Sequence, residues 1–183
     1  PTIAEKQGLV DREKLLSIKG RSRKEQMQLA DVFEVKDYPC SAGGCLLTDP
    51  GFAFRIKELF NHDIDCDVKD VNLLKVGRHL RLDDVTKAVV GRNDAENQRL
   101  ETLAREDDAL LYLADMTGPL CLVRGNLTDE NLQAAARLTA HFSKAREMPQ
   151  ARVVLRRGGK ESILEAPPAD QSWGKERLIG RNK

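Results

Sequence analysis

The residues with the most chemical potential are Cys40 and Cys45, set on either side of Ser41-Ala42-Gly43-Gly44 in a turn between two helical segments. Two thiols separated by four residues, with glycines that let the backbone fold back, can share a metal, close a redox disulfide or present one reactive thiolate. Adding His62 and Cys66 gives three thiolates and an imidazole, a set that zinc accepts, or that could hold an iron-sulfur cluster with a ligand from elsewhere. Cys45 also lies four residues before Asp49-Pro50, a helix start, and a helix N-terminus lowers a thiol pKa by stabilising the thiolate. Ser41-Ala42-Gly43-Gly44 is not a phosphate loop, because a helical segment rather than a strand precedes it and no Lys follows at the required offset. Cys121 sits in an apolar run and reads as a core residue.

A second chemistry is polyanion binding. Net charge is only +1, but Lys19, Arg21, Arg23 and Lys24 cluster, and residues 151 to 183 carry eight Lys or Arg against four Asp or Glu. Basic ends on a neutral body suit a phosphate-bearing partner, although charge runs also serve as solvated faces. The candidate contacts are Arg78, His79, Arg92 and Arg124 near strand ends, and Arg156, Arg157 and Lys160 at a hairpin tip. With one Trp, two Tyr and five Phe, several needed for the core, a platform for stacking single-stranded bases is not expected. Binding should therefore run through the phosphates and shape of folded RNA.

The elements that must position these groups follow from caps and periodicity. Residues 11 to 18 read as a short helix ended by Gly20. Ser22 and Glu25 box the start of a second helix, which reaches about Glu34. Asp49-Pro50 opens an amphipathic helix with Phe52, Ile56, Leu59 and Phe60 on one side, and Asp67 opens another to Leu74. Arg78 to Leu82 and Thr86 to Val90 then form a hairpin, followed by a helix capped at Asn93. Leu110 to Ala114 and Leu120 to Val123 form the next hairpin, followed by a helix capped at Thr128. Glu96-Asn97 and Glu130-Asn131, 34 residues apart, make these two strand-strand-helix units a degenerate repeat. Gly158-Gly159 closes a last hairpin, and a loop-like tail with Trp173 ends the chain.

These elements predict an α+β chain: a helical, cysteine-bearing N-terminal segment followed by a mixed strand-helix domain built from strand-strand-helix units. At 183 residues it can bury a core without disulfides, and four irregularly placed cysteines with no signal or membrane-spanning run place it in the cytoplasm. It begins at Pro1 rather than Met and is read as a piece of a longer protein.

Gly8-Leu9-Val10-Asp11-Arg12-Glu13, Gly20-Arg21-Ser22-Arg23-Lys24 and Tyr38-Pro39-Cys40 through Asp49-Pro50 resemble the region after the ATP-binding domain of PP-loop tRNA 2-thiouridylase-like (ThiI/TrmU-like) proteins. Lys75-Val76-Gly77-Arg78-His79 and Val90-Gly91-Arg92-Asn93 with Glu96-Asn97 resemble the NFACT-type RNA-binding domain such proteins carry. The resemblance implies three parts: residues 1–38 as the helical tail of a catalytic domain, 39–75 as the cysteine loop and short helices, and 76–183 as the RNA-binding domain. It implies a parent ATP-dependent tRNA sulfurtransferase, with tRNA and a sulfur donor protein as partners and Cys40 or Cys45 carrying a persulfide or ligating a cluster. The family's Ser-Gly-Gly-x-Asp-Ser motif is nowhere in this chain, so ATP and magnesium belong to another part of the parent and this chain alone does not activate uridine. The rival reading is a metal-stabilised structural or protein-interaction module with no RNA role.

Overall fold

The computed structural model describes residues 1–14, 16, 18, 24–35, 46–63 and 65–180. Cys40, Cys45 and the basic cluster Lys19, Arg21 and Arg23 lie outside the described residues. The chain divides into two compact units, Pro1–Cys45 and Leu46–Lys183.

The first unit holds α1 (Ile3–Lys6) and α2 (Lys24–Val32), with a 3-10 turn at Arg12–Lys14 among the described residues of the stretch 11–18 expected as a helix. Thr2 and Glu5 form a reciprocal cap on α1, and Glu5 also accepts from Arg12 Nε at 2.5 Å. Neither helix buries a residue among those described, and Val32 and Phe33 at the end of α2 are about 70% exposed.

The second unit is an antiparallel sheet with helices on both faces. α3 (Pro50–His62) starts where Asp49 accepts from the Phe52 N–H at 2.6 Å, and α4 (Val68–Leu73) starts with a reciprocal Asp67–Asp70 box. These are cap residues doing what their side-chain oxygens permit. β1 (Arg78–Arg81) and β2 (Lys87–Val90) form the first hairpin, leading into α5 (Asp94–Leu103). β3 (Ala109–Leu113) and β4 (Cys121–Arg124) form the second, leading into α6 (Asp129–His141). β5 (Ala151–Arg157) and β6 (Lys160–Ala166) complete the sheet in the order β1-β2-β4-β3-β5-β6. The α+β expectation holds, and each expected hairpin is present.

The tail differs. It forms α7 (Gln171–Glu176) and then runs along β1, where the Ile179 N–H donates to the His79 carbonyl at 2.8 Å. Trp173, surrounded in sequence by polar residues, lies between the guanidinium groups of Arg137 and Arg177, 5.5 and 4.1 Å from its ring centroid. The Arg137 contact ties to α6 a tail that local composition reads as loop, and the Arg177 contact is made within the tail itself.

Alternation along the strands separates two apolar layers. Leu80, Ala88, Val90, Leu111, Cys121 and Val123 face α6, which contributes Leu132, Ala135, Ala136 and Thr139. Val89, Leu110 and Leu122 face the other way, against Leu73 of α4 and Leu100 of α5. The two strand-strand-helix units thus put their helices on opposite faces. Their shared asparagines act reciprocally. Asn97 of α5 donates to the Gly118 carbonyl (3.2 Å) and accepts from the Leu120 N–H (2.9 Å), holding the turn of the second hairpin. Asn131 of α6 donates to Asp83 (2.6 Å) in the turn of the first hairpin and to the Asn126 carbonyl (2.8 Å).

Helices α3 and α4 belong to the same compact unit as the sheet. The tie is ionic. Arg124 at the end of β4 donates to Asp70 of α4 (2.7 Å), to both oxygens of Asp108 (2.9 and 2.6 Å) and to the Leu103 carbonyl (3.1 Å). Arg105 adds bonds to Asp70 and Asp67, each at 2.9 Å. Burial alone would raise the Asp70 carboxyl, but the Asp67 N–H and the two guanidinium groups outweigh it and bring its pKa to about 2. Among the described residues no helix is long and apolar enough to cross a membrane.

Removing Arg124 leaves two buried carboxylates without their main partner, so Arg124→Leu should lower unfolding stability by about 3 kcal/mol. Urea unfolding followed by far-UV circular dichroism checks this; Arg92→Leu, at an exposed site, should change it by less than about 0.5 kcal/mol.

Candidate nucleic-acid interface

One end of the sheet opens into a cleft of about 950 Å³. Gly77, at φ +75°, turns the chain from α4 into β1 and sits so close to β2 that a Cβ would meet the Val90 carbonyl oxygen at 2.8 Å. Arg78 follows at the cleft wall. Gly91 ends β2 because Asn97 occupies the space of its missing side chain: a Cβ there would lie 2.1 Å from Asn97 Oδ1. Arg92 is then presented at the start of α5, where Asn93 accepts from the Glu96 N–H (2.9 Å) and Glu96 accepts from both the Arg92 backbone (2.8 Å) and its guanidinium (3.1 Å). The opposite wall is the end of α6 and the 3-10 turn after it, with His141, Phe142, Lys144 and Arg146.

Four fixed cations, Arg78, Arg92, Lys144 and Arg146, line this cleft against the carboxylates of Asp94 and Glu147. Arg78 makes no ion pair among the described residues. It donates to the Gly91 carbonyl at a long 3.4 Å, and its guanidinium lies 4.9 Å from the Phe142 centroid. Partial burial and the neighbouring Arg92 charge both push its pKa down. Two guanidinium groups near enough for one charge to depress the other's pKa favour an anion between them.

The other expected contacts fall elsewhere. Strand register puts Arg78 and Val90 at one end of the sheet, and Arg81, Lys87, Arg124 and Arg157 at the other. The Arg156, Arg157 and Lys160 tip is therefore remote from Arg78 and Arg92. Gly158 and Gly159, both at positive φ, close that tip; Arg157 and Lys160 are exposed, while Arg156 is paired with Glu101.

His79 is corrected as an RNA contact: it points to the opposite face from Arg78 and is 2% exposed. Its ring nitrogen Nε2 donates to the Val76 carbonyl at 2.9 Å, and Nδ1 has no partner among the described residues. Burial, with the charges of Lys87 and Arg55 adding to it, lowers its pKa to about 3. Arg124 is likewise committed to the buried ion cluster.

For the metal set, His62 is turned toward Glu58 (3.6 Å). Cys66 packs half-buried against the small apolar cluster of Phe52, Leu59 and Leu74. Desolvation, with Asp63 and Asp70 nearby, raises its thiol pKa. Among the described residues no group of three or more His, Cys, Asp or Glu is disposed to hold a metal. Cys121 is fully buried and its thiol is pushed up to about 12, as a core residue requires.

Lys144, Arg146 and Phe142 were not legible as site residues. They line one cleft with Arg92 only because α6 spans the sheet and ends at the same end of it as the start of α5. The one local signal is the basic pair after a helix C-terminus, which also occurs for reasons of helix dipole alone.

An open antiparallel sheet with a cationic cleft at one end and a basic hairpin at the other defines an α+β domain suited to polyanions. The family model of the NFACT protein RNA binding domain matches residues 77–175, and the chain belongs to that family. RNA is therefore its class of partner. Among solved structures, the C-terminal part of the fibronectin/fibrinogen-binding protein from Streptococcus suis is similar in fold, with a TM-score of 0.51 and 20% identity. The match covers 75% of this chain and 63% of that one. No curated protein matches the sequence significantly.

Two outcomes follow. Gly91→Ala should displace Asn97 and destabilise the domain by about 1–3 kcal/mol, and Asn97→Ser should recover part of the loss in the double variant; thermal melts of the four proteins check it. The unfolded chain binds a proton at His79 below pH 6.5 that the folded chain refuses down to about 3. Stability is thus full above pH 6.5 and falls as pH drops toward 3, and Asp70 adds a further loss between 3.8 and about 2. Urea midpoints against pH should show this slope, and His79→Leu should flatten its upper part.

Proposed function

We propose that this chain is the tRNA-binding module of a tRNA thiolation enzyme. It holds the RNA while a PP-loop domain outside this chain activates uridine with ATP and magnesium, and a donor protein supplies sulfur. The observation that carries the RNA-holding part is the convergence of Arg78, Arg92, Lys144 and Arg146 on one cleft within or beside elements matched by the RNA-binding family model. The thiolation context rests on the resemblance of the Tyr38-Pro39-Cys40 to Asp49-Pro50 string, and with it goes a persulfide or cluster role for Cys40 and Cys45.

The cleft contacts phosphates through charge and reads little sequence by itself. Arg157 and Lys160 at the far end of the sheet provide a second contact, which a folded RNA can reach together with the cleft more readily than a short flexible strand. Such two-point holding positions a substrate without requiring chemistry from this domain.

The test is binding of the 183-residue chain to unmodified tRNA across a salt series, against single-stranded RNA of equal length. Affinity should favour tRNA and fall steeply with salt, and Arg92→Gln with Arg146→Gln should flatten the log–log slope by about one unit per lost phosphate contact. Equal affinity for the two RNAs removes the tRNA reading; an unchanged slope in the double variant removes the cleft.

A further inference from the structure

The cleft holds a feature that phosphate binding does not use. His141 meets Phe142 edge-on (4.9 Å between centroids, 86° between planes), and Phe142 in turn backs the guanidinium of Arg78 at 4.9 Å. His141 is itself fixed, since its Nδ1 donates to the Ala169 carbonyl at 2.7 Å. The Arg78 plane is thus held by an aromatic pair behind it and by the Gly91 carbonyl at its rim, with no carboxylate drawing it aside among the described residues. Arg78 and Phe142 both line the cleft and both are half-buried, so the contact of guanidinium and ring lies at the cleft wall.

A guanidinium backed in this way is a flat cationic surface on which a nucleobase stacks, in place of the aromatic platform that the low aromatic content withholds. Duplex backbone does not use such a surface, because its bases are already stacked on one another. A volume of about 950 Å³ exceeds what one phosphate needs and accommodates a nucleoside beside it. We propose that the cleft takes an unpaired nucleotide of a folded RNA, its base stacked on Arg78 over Phe142 and its phosphate on Arg92 and Arg146. This deepens the RNA-holding reading and rests on it. Arg78 is here a specificity-determining contact, distinguishing exposed bases from paired ones, while Arg92 supplies charge.

The probe is an RNA stem–loop in which a single abasic nucleotide is moved through the loop, titrated against the full chain. For the native chain, one position should cost about tenfold in affinity. Arg78→Lys keeps the charge and loses the plane, so the penalty at that position should disappear while the salt dependence persists. Arg92→Gln should flatten the salt dependence and keep the penalty. Phe142→Leu, checked for folding by its thermal melt, should reduce the penalty as Arg78→Lys does, which guards against a variant that merely unfolds. Loop RNA that binds with no costly abasic position, or a penalty equal in Arg78→Lys and the native chain, overturns the stacking proposal and leaves RNA binding in place. Absence of binding to any of these RNAs at low salt overturns both.

Discussion

The second unit depends on a buried charge exchange centred on Arg124. One guanidinium satisfies Asp70, Asp108 and the last carbonyl of α5, so that α4, α5, β3 and β4 are all referred to a single planar group. Buried carboxylates at 2% and 4% exposure are tolerable only because guanidinium groups pair them, Asp108 bidentately with Arg124 and Asp70 with one bond each from Arg124 and Arg105. The same group explains why the short helices after residue 46 are not a separate appendage: α4 supplies half of its acids. Hydrophobic burial fills the two layers, but burial is non-directional, and the ionic centre sets which helix end meets which strand end.

Around that centre the reciprocal asparagines organise the periphery. Each hairpin hands its helix across the sheet to hold the other hairpin's turn, so neither strand-strand-helix unit is complete alone. The arrangement gives the degenerate repeat a physical reason. It also brings the start of α5 and the end of α6 to the same end of the sheet, and the cleft is what lies between them.

Much of this was legible locally. Asp49, Asp67, Asn93 and Thr128 announce helix starts because their side chains compete for the free N–H groups of the first turn, and Gly158-Gly159 announces a hairpin because few other residues take two positive φ values in succession. What stayed hidden is non-local. Arg92 and Arg124 both follow a strand and look alike in sequence. One is exposed and the other enclosed, and the difference is made by Asp70 and Asp108, 54 and 16 positions away. His79 and Arg78 are neighbours on one strand, yet alternation sends one into the interior and the other to the cleft. The β2–β4 adjacency, with helices on opposite faces, has no local signature. The presence of Arg92, Lys144 and Arg146 in one cleft follows from it.

The tail gives the molecule a built-in optical probe. Trp173 is the chain's single indole; the guanidinium of Arg137 on α6 lies 5.5 Å from its ring centroid, and that of Arg177, from the tail itself, 4.1 Å. Cationic neighbours on an indole face alter its emission, so detachment of α7 changes the intrinsic fluorescence of the whole chain, with no other tryptophan to dilute the signal. Because the Arg177 carbonyl also accepts from the Arg81 N–H at the open edge of the sheet, that light reports whether the edge strand is sealed.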